Sequence, residues 1–167
     1  MAKSAAIFPG SFDPFTNGHV DILERSLKIF DRVIVGVLNN PNKSSLFTVE
    51  ERVALIQTVV KPYRKRVAVH TFSGLLVDFA HRMHSKAIVR GLRAISDYDY
   101  ETQMALMNRH LDSSLETLFL VTSEENSYVS SSLVKQIGTL GGDITGLVPV
   151  PVAKALARKL ATLRKGR

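Results

Sequence analysis

The chain has 167 residues, with 45% hydrophobic and 22% charged residues, no cysteine and a formal net charge of +7. This composition excludes disordered and collagen-like proteins, disulfides, thiolate metal sites and a cysteine nucleophile, and the length fits one domain. No apolar run approaches ~18 residues, and the first ten residues lack the long apolar stretch of a signal peptide. We therefore expect a soluble, cytoplasmic protein without membrane association.

The first part of the chain predicts two strands around one helix. Residues 4–8 are short and apolar, and the Pro-Gly pair that follows is expected to end this strand. Residues 10–18 are rich in turn formers, and apolar residues then recur at helical spacing over residues 20–30. Arg32–Leu38 is apolar on both faces, which is typical of a buried strand in a parallel sheet.

The later elements continue the alternation. Thr48 and Glu51 form a capping box that predicts a helix through about residue 60, and residues 61–66 form a basic linker. Three strands and four helices are predicted beyond it, in the order Val67–Phe72 (strand), 75–84 (helix), 86–89 (strand), 97–110 (helix), 117–121 (strand), 130–140 (helix) and a helix from about residue 151. This alternation predicts a single-domain, Rossmann-like α/β fold over residues 1–167, with a five-stranded parallel sheet, right-handed crossovers and helices on both faces.

The positive charge is concentrated at the C-terminus. Residues 144–167 contain no Asp or Glu but six basic residues, whereas the rest of the chain carries 16 basic and 15 acidic residues. We therefore expect residues 154–167 to be a solvated basic helix end and tail. The alternative is a nucleic-acid-binding arm, which predicts salt-dependent binding that is lost when residues 154–167 are deleted. The near-neutral body lacks an aromatic and basic stripe, so we expect no nucleic-acid partner.

Parallel sheets bind ligands beyond the carboxyl ends of their strands. This rule selects five loops, at residues 9–18, 39–45, 72–74, 90–93 and 122–130. The first loop leads from a strand into a helix, so free N–H groups and the helix dipole favour an anion there. Gly18 lets a phosphate approach the backbone, and His19 in the first helical turn can donate a hydrogen bond to it. An ordinary helix-entry loop with a polar histidine is the alternative, and neither a Walker A loop nor GxGxxG occurs in the chain.

Other loops at the same edge carry groups that suit phosphate. Lys43 follows the second strand, and Arg90 and Arg93 flank a glycine after the fourth. Arginine binds phosphate oxygens through its planar fork. The serines at 130–132 start a helix, and capping would explain only one of the three.

Six further side chains have simpler interpretations. Asp97 and Glu101 near a helix start can complement its dipole. His81 and His84 have a spacing that suits a metal, but no third ligand is near, and we interpret them as surface histidines. The stripe that contains Met104 and Met107 is expected to be core or subunit interface.

Four segments resemble one enzyme family. Pro-Gly-Ser-Phe-Asp-Pro-Phe-Thr-Asn-Gly-His at residues 9–19 is similar to the Thr/His-x-Gly-His signature of the nucleotidylyltransferase superfamily. Phe-Thr-Val-Glu-Glu-Arg at 47–52, the segment 90–101 and Ser-Ser-Ser-Leu-Val-Lys at 130–135 narrow the resemblance to bacterial phosphopantetheine adenylyltransferases. It extends from about residue 5 to 163.

The resemblance implies transfer of the adenylyl group of ATP to 4′-phosphopantetheine, giving dephospho-CoA and pyrophosphate in coenzyme A biosynthesis. It also implies Mg²⁺ arriving with ATP, no metal ligand in the protein, a homohexamer, and coenzyme A as a feedback ligand. The nucleophile is the substrate's own phosphate, so the chain needs neither a nucleophilic side chain nor a general base.

The resemblance also implies residue roles. Catalytic roles fall to His19, Lys43 and Arg93. Contacts to 4′-phosphopantetheine fall to Ser11, Lys43, Leu76 and Arg90. Contacts to ATP fall to Ser11, Phe12, His19, Gly91, Leu92, Arg93, Glu101, Asn126, Ser127, Tyr128, Val129, Ser130, Ser131 and Ser132. In relatives, position 11 can be threonine, which keeps the hydroxyl, and position 126 can be aromatic, so stacking there is not expected from Asn126.

A nucleotidylyltransferase of the same fold that acts on nicotinate mononucleotide or glycerol phosphate is the nearest alternative. Lys43, Arg90 and the lack of a glycine-rich pyridine-nucleotide pocket disfavour it. Pyrophosphate release with a panel of acceptors distinguishes the two activities.

Overall fold

The computed structural model of the chain describes residues 4–40, 44–93 and 95–165. Its elements are β1 Ala5–Gly10, α1 Asn17–Ile29, β2 Arg32–Leu38, α2 Val49–Val59, β3 Val67–Phe72, α3 Leu76–Arg82, β4 Ala87–Leu92, α4 Ile95–Leu111, β5 Glu116–Val121, α5 Ser131–Thr139 and α6 Val150–Lys165. Two short 3₁₀ turns, Lys61–Tyr63 and Glu124–Asn126, were not predicted from the sequence. None of the helices in the described ranges is long and apolar enough to cross a bilayer.

The five strands form one parallel sheet in the order β3-β2-β1-β4-β5. This confirms the predicted architecture. The chain builds outward from β1 to β3 and then returns to the other side of β1 with β4. The switch point therefore lies between β1 and β4, where sheets of this kind open a crevice at their carboxyl edge.

Apolar residues cover both faces of the sheet. Phe8 packs with Leu23 of α1 and with side chains of α2, α5 and α6 on one face. Ile7, the preceding residue, packs with Phe79 of α3 on the other face. Successive strand residues point to opposite faces, so both must be apolar when helices cover the sheet on both sides.

Two strands, β1 and β4, extend beyond their predicted C-terminal ends. β1 continues through Pro9 to Gly10, whereas the sequence predicted an end at Phe8. Its ladder with β4 covers only Ala6 and Ile7, so a proline further on removes no hydrogen bond on that side. β4 continues to Leu92, because β5 pairs with it along its whole length.

The first two helices, α1 and α2, begin with capping boxes. Thr48 accepts from the Glu51 backbone N–H and the Glu51 carboxylate accepts from the Thr48 N–H, which confirms the capping box. Thr16 and His19 make the same reciprocal arrangement at α1.

The histidine pair behaves as expected for surface residues. His81 Nε2 lies 2.6 Å from an oxygen of Asp112 in the turn after α4. Within the described part of the chain, no group of three or more His, Cys, Asp or Glu side chains is placed to hold a metal ion.

Candidate active site

Two cavities meet at the crevice between β1 and β4. The first pocket has a volume of about 310 Å³ and lies beside the loop after β1 and the N-terminus of α5. The second pocket has a volume of about 450 Å³ and lies against α3 and α4. The two cavities share Pro9, Gly10, Ser11, Arg90 and Glu101 as a common wall. Two ligands that occupy them would therefore meet at Ser11 and Arg90.

His19 lies at the base of the first pocket. Its Nδ1 accepts a hydrogen bond of 2.9 Å from the Thr16 backbone N–H, which leaves the proton on Nε2. The ring stacks on Phe15 with centroids 5.2 Å apart, and Phe12 packs against it edge-on at 5.1 Å. Burial, followed by the charges of Arg93 and Arg90, lowers the pKa of His19 to about 3. His19 is therefore a neutral hydrogen-bond donor at physiological pH.

Arg90 lies inside β4 and not in the loop that was predicted to follow the strand. Its Nε donates to Glu101 Oε2 at 2.6 Å and its NH2 donates to Glu101 Oε1 at 2.5 Å. Its NH1 donates to the Pro9 carbonyl oxygen at 2.5 Å. The guanidinium thus closes the crevice between β1 and β4, and Glu101 on α4 holds it from behind.

Arg93 is held by a carboxylate in a similar way. Its Nε donates to Asp97 Oδ2 at 2.9 Å and its NH2 donates to Asp97 Oδ1 at 3.2 Å. Asp97 Oδ2 also accepts the Arg93 backbone N–H. Asp97 therefore orients Arg93 at the first pocket, a role more specific than the helix-dipole interpretation.

The three serines at the start of α5 have different surroundings. Ser130 is the N-cap and accepts from the Leu133 N–H. Ser131 donates to the Pro14 carbonyl oxygen at 2.7 Å and so ties α5 to the first loop. Ser132 is exposed at the pocket. Capping and tethering account for two of the hydroxyls and leave the third facing the cavity.

The second pocket is lined largely by apolar side chains of α3 and α4. Leu76 and Arg90 line it, as expected for contacts to one ligand. Met104 and Met107 line it too, and their side chains are 40% and 53% exposed. These exposures exclude the core for both methionines. The other half of the prediction, a subunit interface, stays a prediction.

The predicted ATP contacts separate into two groups. Those that line the first pocket are Ser11, Phe12, His19, Gly91, Arg93, Glu101, Val129, Ser130, Ser131 and Ser132. Those that do not are Leu92, Asn126, Ser127 and Tyr128, which lie at the end of β4 and in the turn before α5. Lys43 lies outside the described residues.

Packing within the protein explains why residue 91 is glycine. A Cβ at this position would lie 2.9 Å from a side-chain carbon of Ile22, so glycine is needed where β4 meets α1. At Gly18 a Cβ would make only ordinary contacts, the nearest at 3.6 Å. Packing of the described residues therefore does not demand the second glycine.

The sequence interpretation missed a buried ion pair below the first pocket. Asp13 is 5% exposed, and its Oδ2 accepts from Lys135 Nζ at 2.7 Å. The same carboxylate accepts the N–H groups of Leu46 and Phe47, both at 2.9 Å. Burial alone would raise the pKa of Asp13, but these hydrogen bonds lower it below its ordinary value. Asp13 and Lys135 lie in segments 9–19 and 130–135, which resemble the enzyme family. That resemblance was the only sequence signal that could have pointed to this pair.

The arrangement suits chemistry on phosphate groups. A neutral imidazole N–H, the N-terminus of α5 and oriented arginines surround the first pocket, whereas the second is mostly apolar and has Arg90 in the wall that it shares with the first. Such groups stabilise negative charge on oxygen without transferring a proton.

Comparisons with known proteins identify the family of the chain. A cytidylyltransferase-like family model matches residues 7–137. A phosphopantetheine adenylyltransferase from Clostridium kluyveri is 56% identical over 93% of this chain and 94% of its own length. One from Alkaliphilus metalliredigens is 53% identical over 92% of this chain and 97% of its own.

Solved structures give the same fold at low identity. A putative nicotinate-nucleotide adenylyltransferase from Vibrio parahaemolyticus superposes with a TM-score of 0.67 at 17% identity, covering 92% of this chain and 98% of that one. A bifunctional NMN adenylyltransferase/ADP ribose pyrophosphatase from Francisella tularensis superposes with a TM-score of 0.70 at 13% identity, covering 95% and 50%. Identity, coverage and fold together place the chain in the phosphopantetheine adenylyltransferase family.

Proposed function

We propose that this chain transfers the adenylyl group of ATP to 4′-phosphopantetheine, giving dephospho-CoA and pyrophosphate in coenzyme A biosynthesis. The observation that supports this most directly is the pair of pockets that meet at Ser11 and Arg90. The first pocket has the polar groups that a triphosphate needs. The second has the apolar wall that suits a pantetheine arm.

The reaction balances without a protein nucleophile. An ionised phosphate oxygen of 4′-phosphopantetheine forms a bond to the α-phosphorus of ATP. The bond from that phosphorus to the bridging oxygen of the β-phosphate breaks, and pyrophosphate leaves with the electron pair. Catalysis then depends on aligning the two phosphates and on stabilising charge at the α-phosphate.

His19 is the donor to the α-phosphate in this scheme. Its Nδ1 is occupied by the Thr16 N–H, so Nε2–H is the group that faces a ligand. Its low pKa keeps it neutral, so it lends a hydrogen bond and no formal charge. Lys43 is proposed to act on the same phosphate.

The remaining roles follow the two pockets. Arg93 and the start of α5 at 130–132 are proposed to hold the β- and γ-phosphates, and Arg90 the phosphate of 4′-phosphopantetheine. Leu76 is proposed to contact the pantetheine arm. Glu101 acts on Arg90 in this scheme, because its carboxylate is already paired with that guanidinium.

Mg²⁺ is proposed to arrive with ATP. The acidic residues at the site do not fit a metal cage, since Asp13, Asp97 and Glu101 are each paired with a cation and no group of three ligands forms among the described residues. Phosphate oxygens and water would supply its ligands. We assign no catalytic step to the ion.

Assembly into a homohexamer is proposed from the exposed side of α4 and the edge strand β5. Leu106 and Val121 are 63% and 65% exposed there, and apolar surface of this kind is typical of subunit contacts. We further propose a cytoplasmic location and feedback by coenzyme A, which shares the pantetheine arm and adenylyl group of the product. Native mass spectrometry tests the assembly state.

The decisive experiment is incubation with ATP, Mg²⁺ and 4′-phosphopantetheine, followed by mass detection of dephospho-CoA. Nicotinate mononucleotide and glycerol phosphate serve as alternative acceptors in parallel reactions. Product from 4′-phosphopantetheine alone supports the proposal. Product only from another acceptor, or salt-dependent nucleic-acid binding without adenylyl transfer, contradicts it.

A further inference from the structure

Arg52 on α2 is a buried cation whose guanidinium is held by backbone carbonyls. Arg52 is 4% exposed, and none of the described carboxylates forms an ion pair with it. Its NH1 donates to the Ser11 carbonyl oxygen at 2.6 Å and to the Leu38 carbonyl oxygen at 3.2 Å. Its Nε donates to the Thr48 carbonyl oxygen at 3.3 Å. Burying an arginine in this way is costly unless its donors are satisfied, so these three carbonyls are a specific requirement.

The carbonyl of Ser11 belongs to the peptide group that forms the wall of the first pocket. In a trans peptide the C=O and the N–H point in opposite directions. The Phe12 N–H therefore points away from Arg52, and no described residue accepts a hydrogen bond from it. The Phe12 ring is buried at 3% exposure among Phe8, Phe15 and His19. Phe12 thus offers its backbone, and not its ring, to a ligand.

The backbone at Phe12 has a conformation that residues other than glycine rarely adopt. Its φ is +50°, and outliers of this kind persist only where the surroundings hold them in place. Gly10 makes room for the ring, because a Cβ at Gly10 would lie 2.8 Å from ring carbons of Phe12. Arg52 holds the preceding carbonyl. The aromatic rings around Phe12, the space at Gly10 and the guanidinium of Arg52 together define one orientation of the Ser11–Phe12 peptide group.

We propose that Arg52 is a positioning residue for adenylyl transfer: by binding the Ser11 carbonyl from below, it holds the Phe12 N–H toward the phosphate in the first pocket. The proposal rests on the proposed function, since it assumes that a phosphate of ATP occupies this pocket. Arg52 lines neither of the two pockets. Its positive charge also lies beneath the loop and adds to the field that favours anionic oxygens.

The test compares two arginines that make the same kind of contact at opposite ends of the sheet. Arg66 also donates to three backbone carbonyls, those of Leu27, Phe30 and Asp31, but it lies at the amino edge of the sheet. R52M, R52K and R66M are purified, their thermal unfolding is recorded, and turnover is measured below the lowest unfolding midpoint.

R52M is expected to lower kcat about 10- to 100-fold, since a small misplacement of a donor has effects of this size. KM for 4′-phosphopantetheine is expected to change less than about threefold. R52K keeps the charge but not the fork and should give an intermediate kcat. R66M should lose stability while kcat stays within about twofold of the starting protein.

Calorimetric titration with ATP alone provides a second measurement, which needs no acceptor. ATP should bind more weakly to R52M and R52K and unchanged to R66M. A folded R52M or R52K with unchanged kcat and ATP affinity overturns the proposal, as does an R66M that loses as much kcat as R52M. If R52M does not fold, R52K decides. Absence of adenylyl transfer in the starting protein would instead reject the proposed function, and the ATP titration would still report on Arg52.

Discussion

The two edges of the sheet use positive charge in different ways. At the carboxyl edge, Arg90, Arg93 and Lys135 are each held by a carboxylate at a cavity wall. At the amino edge, a cleft of about 440 Å³ is lined by Arg32, Arg64, Lys65 and Arg66, which makes it the more basic surface of the two.

Only one cation of the amino edge is oriented by described residues. Arg66 is bound to backbone carbonyls, whereas no hydrogen bond or ion pair with a described residue holds the side chains of Arg32, Arg64 or Lys65. A cation held in place by a carboxylate loses little conformational entropy when a phosphate arrives, and a freely rotating one loses more. The two edges therefore differ in how firmly their cations are held, more than in how many cations they carry.

Replacing His19 should have the largest effect. We expect His19→Ala to lower kcat at least about 100-fold, because it removes a hydrogen-bond donor at the developing charge. His19→Asn is the matched control, since its side-chain oxygen can still accept from the Thr16 N–H while the Nε2–H is lost. Steady-state kinetics on folded protein check both. Near-normal turnover in either variant rejects the role of His19.

Replacing Arg90 should act on affinity. Arg90→Ala removes charge-assisted hydrogen bonds from the wall between the pockets, and we expect KM for 4′-phosphopantetheine to rise about 10- to 100-fold. The change in KM for ATP should be smaller. Initial rates at varied concentrations of each substrate separate the two. Unchanged KM for 4′-phosphopantetheine would remove Arg90 from the binding site.

Replacing Glu101 tests whether holding the Arg90 guanidinium in place matters for binding. Glu101→Gln keeps the shape and one acceptor but removes the charge that fixes the guanidinium. We expect a rise of about 3- to 10-fold in KM for 4′-phosphopantetheine, in the same direction as Arg90→Ala and smaller. In the double variant the two effects should not add. A rise confined to KM for ATP would instead support direct binding of ATP by Glu101.

The pKa of His19 predicts how stability changes with pH. The unfolded value is 6.5 and the folded value is about 3, so between these limits the unfolded chain binds a proton that the folded chain does not. The stabilising contribution of neutral His19 is therefore complete above pH 6.5 and is lost as the pH falls toward 3. Denaturant unfolding of the starting protein and His19→Asn from pH 5 to 8 should show their difference shrinking at low pH. A ring that titrates near 6.5 by NMR would contradict this.

Reversing charge at the amino edge should have the smallest effect. We expect Arg64→Glu with Lys65→Glu to leave kcat and both KM values within about twofold, because these cations lie at the opposite end of the strands. The outcome is read from the same kinetic assay at low salt, where long-range charge effects are largest. A large loss of activity would show that unoriented charge contributes as much as oriented charge.

Local patterns predicted much of the fold. The bounds of β2 and β3 and the capping box at Thr48 were correct, because each depends on neighbouring residues alone. The extension of β4 could not be predicted in this way, since it depends on pairing with β5. The exposure of Met107 likewise depends on which side of α4 faces the sheet.

The candidate site divides along the same line. The meeting of His19, Arg90 and Arg93 at one pocket could be predicted, because each lies at or near the carboxyl end of a strand in a parallel sheet. Their partners could not, because Asp13 and Lys135 are 122 residues apart in the chain and the contact of Arg52 with Ser11 joins residues 41 apart. Such pairs become visible only when the loops are brought together.

The cap of α1 has a consequence for how the chain can vary. The imidazole proposed to serve turnover also closes the first turn of a helix through Thr16, so one side chain satisfies a folding requirement and a functional one. Most substitutions at this position lose both together. Selection for an intact helix therefore also protects the proposed catalytic group, even during periods when the product of the reaction is supplied from outside.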